Sequence, residues 1–188
     1  MGNDHGGEIM NWANRLTILR VILVPVFIMA VFYQRLTLAL VIFILAAVTD
    51  CLDGYVARAF KEKTQFGAIM DPIADKLLVG SAFICFSLVK DLPAHLRMPV
   101  YVPIIIISRD VIILLGVMCI YILGPGHSHE IRPTRVSKVT TVFQMVTVIA
   151  LLAGFIYSNW LWNITVVLTV MSGLDYIRIG SSKFNAKC

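Results

Sequence analysis

The sequence predicts an all-α polytopic membrane protein with six transmembrane helices and an N-terminal amphipathic interfacial helix. Three observations predict it. The 188 residues are 59% hydrophobic and only 14% charged, with a mean hydropathy of +0.84, where soluble domains carry about 25% charged residues. The apolar residues fall in runs near the ~20 residues needed to cross a bilayer, about twice what a barrel strand needs. The Lys and Arg residues gather in alternate connections between those runs.

The elements follow in order. In EIMNWANRLT, Ile9, Trp12 and Leu16 fall at helical spacing, so this segment reads as a helix in the headgroup layer. The spans are expected at 17–33, 36–59, 67–89, 99–123, 136–157 and 161–179. The second and third are unusual because they hold aspartates. Gln34-Arg35 and Ser158-Asn159 make tight connections, and GPGHSHEIRPTR, 124–135, is the longest polar one. The first ten residues lack a basic stretch and an apolar core, so no cleavable leader is expected. No repeat or linker divides the chain, so 1–188 reads as a single membrane domain.

One side of the membrane would hold Arg15, Arg20, Arg58, Lys61, Lys63, Arg132, Arg135, Lys138, Arg178, Lys183 and Lys187. The other would hold Arg35, Lys90 and Arg97. Eleven against three places both termini, and the connection between the second and third spans, in the cytoplasm. The inner, cytoplasmic membrane is the expected location. The net charge of +5 fits anionic lipid or anionic substrates; no basic block interleaved with aromatics suggests nucleic acid. The four cysteines lack metal-type spacing.

The chemistry-bearing stretch is DCLDGYVARAFKEKTQFGAIMDPIADK, residues 50–76. Asp50 and Asp53 are three apart and share a face of the second helix; Asp71 and Asp75 are four apart and share a face of the third. A short connection makes these helices antiparallel neighbours, so the four carboxylates can converge. Unneutralised, they would resist burial at membrane depth. A divalent cation, or two, removes the difficulty, and all-oxygen ligation favours Mg²⁺ or Mn²⁺. Gly54, Ala57 and Gly67 are small enough for close approach of a flat ligand, and Arg58 with Lys61 and Lys63 supplies positive charge. Metal, arginine and small residues together read as a phosphate or pyrophosphate site. The bland alternative is a set of helix-end aspartates paired with Arg58, Lys61, Lys63 and Lys76. Acids lining an ion path form a rival reading, but a transporter would spread them along the bilayer depth or across inverted repeats.

Asp50-x2-Asp53-Gly54-x2-Ala57-Arg58-x8-Gly67-x3-Asp71-x3-Asp75 resembles, at every position, the signature of the CDP-alcohol phosphotransferase family. The resemblance implies a dinuclear divalent-metal site held by Asp50, Asp53, Asp71 and Asp75. It implies that Asp75 is the general base on the acceptor hydroxyl, and that Gly54, Ala57, Arg58 and Gly67 line the CDP pocket. The implied donor is CDP-diacylglycerol, a membrane lipid, and the implied reaction is direct displacement of CMP. Members often form homodimers, so a second copy is an expected partner.

The acceptor rests on other segments. Asn14-Arg15-Leu16-Thr17-Ile18-Leu19-Arg20, followed by Leu23-Val24-Pro25, resembles the start of bacterial phosphatidylglycerophosphate synthases, as does Ser172-Gly173-Leu174-Asp175-Tyr176. That resemblance implies glycerol 3-phosphate, whose phosphate calls for further cations. Arg109 lies inside the fourth span, where a charge is functional by default. With Arg135 or Lys138 it is expected to bind the acceptor phosphate. Ser108-Arg109-Asp110 departs from the usual Ala-Arg-Glu of those synthases. With Arg135-Val136-Ser137-Lys138 it is similar to CMP-forming cardiolipin synthases, which implies phosphatidylglycerol as the alternative acceptor.

Overall fold

The structure, a computed structural model, describes the backbone of residues 12–60, 65–123, 135–155 and 157–185. Side chains are described at 18–49, 73–74, 76–116, 136–155, 157 and 159–178. Among these residues there are six helices and no strand: α1 Trp12–Phe32, α2 Leu36–Phe60, α3 Gln65–Leu88, α4 Tyr101–Leu123, α5 Arg135–Leu152 and α6 Ser158–Asn185. One segment, Asn159–Arg178, is long and apolar enough by itself to cross a membrane. Shorter apolar stretches run Ile18–Phe32, Leu36–Thr49, Lys76–Leu88 and Val136–Leu152.

Two boundaries differ from expectation. The amphipathic start is not set apart from the first span: Trp12 to Leu16 is the first turn of a continuous α1, because no Gly or Pro interrupts 12–24. Residues 1–11 lie outside the described residues. The fifth helix stops at Leu152, short of the expected 157. Gly154 takes φ +83°, and Phe155 N–H donates to Ala150 O at 3.0 Å while Gly154 N–H donates to Leu151 O at 3.0 Å. That pair of bonds is a Schellman cap, which satisfies carbonyls at the helix end.

The helices fall into two groups, Met1–Cys85 and Phe86–Cys188. In the first, α1 and α2 form a hairpin. Gln34 turns the chain at φ +59°, and Arg35 N–H donates to Ala30 O at 2.8 Å, a second Schellman cap made without glycine. The hairpin closes on Phe27 and Phe43, whose ring centroids lie 5.8 Å apart. Both rings are fully buried, with Ala30, Val31, Ala39, Ile42 and Ala46 around them in sequence register. Leu38, Val41, Leu45 and Val48 occupy the opposite, exposed face of α2.

In the second group, α5 and α6 meet along a polar seam. Gln144 Nε2 donates to Thr169 Oγ1 at 3.2 Å, Thr147 and Thr165 share a hydrogen bond of 2.9 Å, and Thr140 Oγ1 donates toward Leu168 O at 3.3 Å. Every one of these hydroxyl and amide side chains is buried. Each interhelical bond of this kind is worth about 0.6 kcal/mol in a bilayer, so the seam sets register more than it stabilises. At one end Tyr101 meets Trp162 edge-on, at a centroid distance of 6.0 Å. The α4–α6 approach is close: a Cβ on Gly116 would come within 2.5 Å of the Tyr176 hydroxyl.

Candidate functional site

Helix α2 builds the first half of the acidic site by continuing its own pattern. Its buried stripe runs Ala39, Ile42, Phe43, Ala46. Steps of three and four residues carry that stripe onto Asp50, Asp53 and Ala57. Helix α3 repeats the arrangement in reverse order. Its buried residues Ala74, Leu78, Ala82 and Phe86 extrapolate back to Asp71 and forward past Asp75. Among the described residues the exposed stripe of α3 holds Leu77, Ile84 and Leu88. All four aspartates are thus helical, at positions that continue the protein-facing side.

Along the chain, the two halves stand at similar distances from the connection between their helices. The connection from Phe60 to Gln65 bridges at most about 18 Å when extended. Counted from α2's end, Asp50 stands ten residues in (60 − 50), and Asp75 stands ten in from α3's start (75 − 65). Asp53 and Asp71 stand seven and six in (60 − 53 and 71 − 65). The side chains of Asp50, Asp53, Gly54, Ala57, Arg58, Gly67, Asp71 and Asp75 lie outside the described ones. Among the described residues no group of three metal-type ligands occurs.

The donor set fits a hard divalent ion on chemical grounds. Four carboxylates offer only oxygen, and the motif positions Asp50, Asp53, Gly54, Ala57, Arg58, Gly67, Asp71 and Asp75 include no Cys or His.

The Arg109 side chain itself is described. This guanidinium, only 5% exposed, sits at the centre of the second group. Nη1 donates to Asp110 Oδ1 at 2.7 Å, and Nη2 donates to Ser137 Oγ at 2.8 Å and also to Ser172 Oγ. Three helices therefore hold one side chain: α4 supplies it, α5 and α6 grip it. Gly173 packs against the arginine stem: a Cβ there would stand 3.5 Å from Arg109 Cγ, an ordinary contact. Arg109 Nε is buried with no partner among the described residues. A buried donor left over in this way calls for an explanation, such as an acceptor that arrives with a ligand.

The grip on Ser137 places Arg109 at the first turn of α5, where Arg135 and Lys138 also belong. Lys138 is exposed there; the Arg135 side chain is outside the described ones. Sequence reasoning expected these three to act together on an acceptor phosphate but did not foresee Ser137 and Ser172 as the clamp. It gave no site role to Arg20, which it named among the flanking charges and at the end of the Asn14–Arg20 segment. Arg20 is 1% exposed, near the start of the apolar stretch Ile18–Phe32 of α1. The signal was present, because a charge inside ILRVILVP is costly unless it serves something.

The model of the family described as CDP-alcohol phosphatidyltransferase matches residues 10–171, and the chain belongs to that family. Among named relatives, a Mycobacterium tuberculosis protein called "Probable phosphatidylglycerophosphate synthase" is 35% identical over 181 residues, covering 90% of this chain and 81% of that protein. The Haemophilus influenzae CDP-diacylglycerol–glycerol-3-phosphate 3-phosphatidyltransferase is 35% identical over 175 residues, covering 87% of this chain and 90% of the relative. The human CMP-forming cardiolipin synthase is 30% identical over 188 residues, covering 89% of this chain and 60% of that protein.

Proposed function

We propose that this chain transfers the phosphatidyl group of CDP-diacylglycerol to glycerol 3-phosphate, giving phosphatidylglycerophosphate and CMP. The observation that carries the reading is the complete eight-position motif, with its aspartates in register with the buried stripes of two successive helices. The names of relatives that span most of the chain support the acceptor.

Asp50, Asp53, Asp71 and Asp75 would hold Mg²⁺ or Mn²⁺ as two ions. Bound there, such ions neutralise the pyrophosphate charge and stabilise the CMP leaving group. Gly54, Ala57 and Gly67 leave room for the nucleotide, and Arg58 binds its phosphates. Asp75 accepts the proton of the acceptor hydroxyl as that oxygen attacks the phosphorus bearing diacylglycerol. The new O–P bond forms as the P–O bond to CMP breaks, with CMP leaving as the phosphate anion. No covalent protein intermediate is needed. Arg109, Arg135 and Lys138 bind the acceptor's own phosphate, with the unpaired Nε of Arg109 as one donor.

The six helices span the membrane, with both termini and the aspartates on the cytoplasmic side, and the whole chain acts as one catalytic domain. The exposed Leu, Ile, Val and Phe side chains of α1, α2, α4 and α6 suit a lipid face. The donor's tails then stay in the bilayer while its headgroup meets soluble glycerol 3-phosphate.

Purified protein supplied with CDP-diacylglycerol and Mg²⁺ should release CMP when glycerol 3-phosphate is added. Phosphatidylglycerol, offered in parallel, tests the reading drawn from Ser108-Arg109-Asp110 and from the human relative. Release that depends on phosphatidylglycerol alone would replace the acceptor; no release with either would overturn the reaction.

A further inference from the structure

Arg20 is as deeply buried as the aromatic core beside it, yet nothing in the reaction above uses it. Its place follows from the register of the α1–α2 hairpin. The Phe27–Phe43 contact fixes which residues face each other across the two helices. Seven residues is two helical turns, a shift of about 10.5 Å with a rotation of only about 20° from the starting face. Stepping seven back from Phe27 on α1 reaches Arg20. Stepping seven on from Phe43 on α2 reaches Asp50. The helices are antiparallel through the Gln34 turn, so both steps run the same way in space. Arg20 and Asp50 therefore occupy the same layer, on the faces the two helices share. Ala46, fully buried, lies between the Phe43 and Asp50 layers and leaves room for a long side chain from α1.

We propose that Arg20 is the fixed counter-charge of the acidic site: lying in the Asp50 layer of the hairpin, it offsets part of the carboxylate charge and draws in the anionic donor. This rests on the reading of the four aspartates as a divalent-ion site. Arg suits the duty because it keeps its charge when buried. A fixed positive charge has opposite effects on the site's two ligands. It weakens binding of a divalent cation and strengthens binding of a pyrophosphate, because Coulomb terms act strongly at such distances inside protein. A merely structural arginine has no such signature, since damage to the fold does not tighten a metal site.

The full chain, purified in detergent, would be compared as wild type, Arg20→Met, Arg20→Gln, Arg20→Lys and, as a control at the hairpin turn, Arg35→Met. Mn²⁺ binding is read by electron paramagnetic resonance, independently of turnover. The Michaelis constants for CDP-diacylglycerol and glycerol 3-phosphate are read from CMP release. The expected result is Mn²⁺ binding about tenfold tighter in Arg20→Met and Arg20→Gln, with the donor constant raised about tenfold and the acceptor constant within twofold of wild type. Arg20→Lys and Arg35→Met should bind Mn²⁺ within about twofold of wild type. Arg20→Gln serves if the methionine variant does not yield a monodisperse protein. Mn²⁺ binding that is unchanged or weaker in the charge-removing variants overturns the proposal. Wild-type protein that takes up no Mn²⁺ overturns the metal-site reading beneath it. Wild type that binds Mn²⁺ but makes no CMP overturns the reaction alone, and the Mn²⁺ comparison still decides on Arg20.

Discussion

Asp75 has two duties in the proposed reaction, and an amide separates them. Asn keeps one ligand oxygen but cannot take up the acceptor's proton. Asp75→Asn should therefore bring CMP release down by at least about a thousandfold while donor binding stays within about fivefold of wild type. Asp50→Asn removes charge without touching proton transfer, so metal and donor binding should weaken together and excess Mg²⁺ should restore part of the rate. Equilibrium binding of CDP-diacylglycerol alongside steady-state rates checks both; near-normal turnover in Asp75→Asn would rule out the base. At this scale the sequence was most legible where spacing alone carries meaning. Four acids at intervals of three and four on two apolar helices are the ground of the proposed site, and that spacing needs no tertiary information. Arg109's partners were not legible, because Ser137 and Ser172 lie 28 and 63 residues away and only the α4–α5–α6 packing makes them one clamp. Arg20 was legible as a charge but not as a neighbour of Asp50, since that depends on the hairpin's register.

Among the elements, the helix ends separate what local chemistry decides from what composition suggests. Two helices close with the same cap, one through Gln34 and the other through Gly154, and both central residues have positive φ. An L side chain in that region costs about 1–2 kcal/mol relative to glycine, which has no Cβ to clash. Gln34→Gly should raise the melting temperature in detergent, and Gly154→Ala should lower it, each by an amount matching about 1 kcal/mol. The surroundings of Gly154 are open, with nothing within 4 Å of a Cβ, so any loss there reports backbone strain and not a clash. Differential scanning fluorimetry would read both, and Gly154→Ala without effect would mean the cap does not hold. The apolar run beyond Leu152 suggested a longer α5 because hydropathy counts residues and takes no account of φ. The dipeptide Ala153-Gly154 marks the true end. The polar seam of α5 and α6 was equally hidden. Thr140, Gln144, Thr147, Thr165 and Thr169 read as scattered polar residues until the helices meet.

For the whole molecule, the open question is how a chain with acids inside its helices crosses a bilayer, and α3 puts it most sharply. Its 24 residues extend about 36 Å, enough to cross. Among its described residues the apolar stretch runs Lys76–Leu88. The half that carries Asp71 and Asp75 can lie at membrane depth only if the carboxylates are compensated, which the proposed site provides. Topology and chemistry thus depend on each other. If α3 crosses, the connection before it and the connection after it lie on opposite sides. Lys61 and Lys63 precede it; Lys90 and Arg97 follow it, and both of the latter are exposed. By the positive-inside rule, eleven Lys and Arg residues against three would put the first connection in the cytoplasm. In a background with Cys51, Cys85, Cys119 and Cys188 replaced by Ala, a membrane-impermeant thiol reagent should label Lys90→Cys and Arg97→Cys in cells whose inner membrane is intact and accessible from outside. It should label Lys63→Cys only in inverted vesicles. The reverse pattern would invert the orientation and put the aspartates on the wrong side for a cytoplasmic acceptor. Labelling of Lys63→Cys and Lys90→Cys from the same side would mean that α3 does not cross, and the six-span arrangement would fall with it.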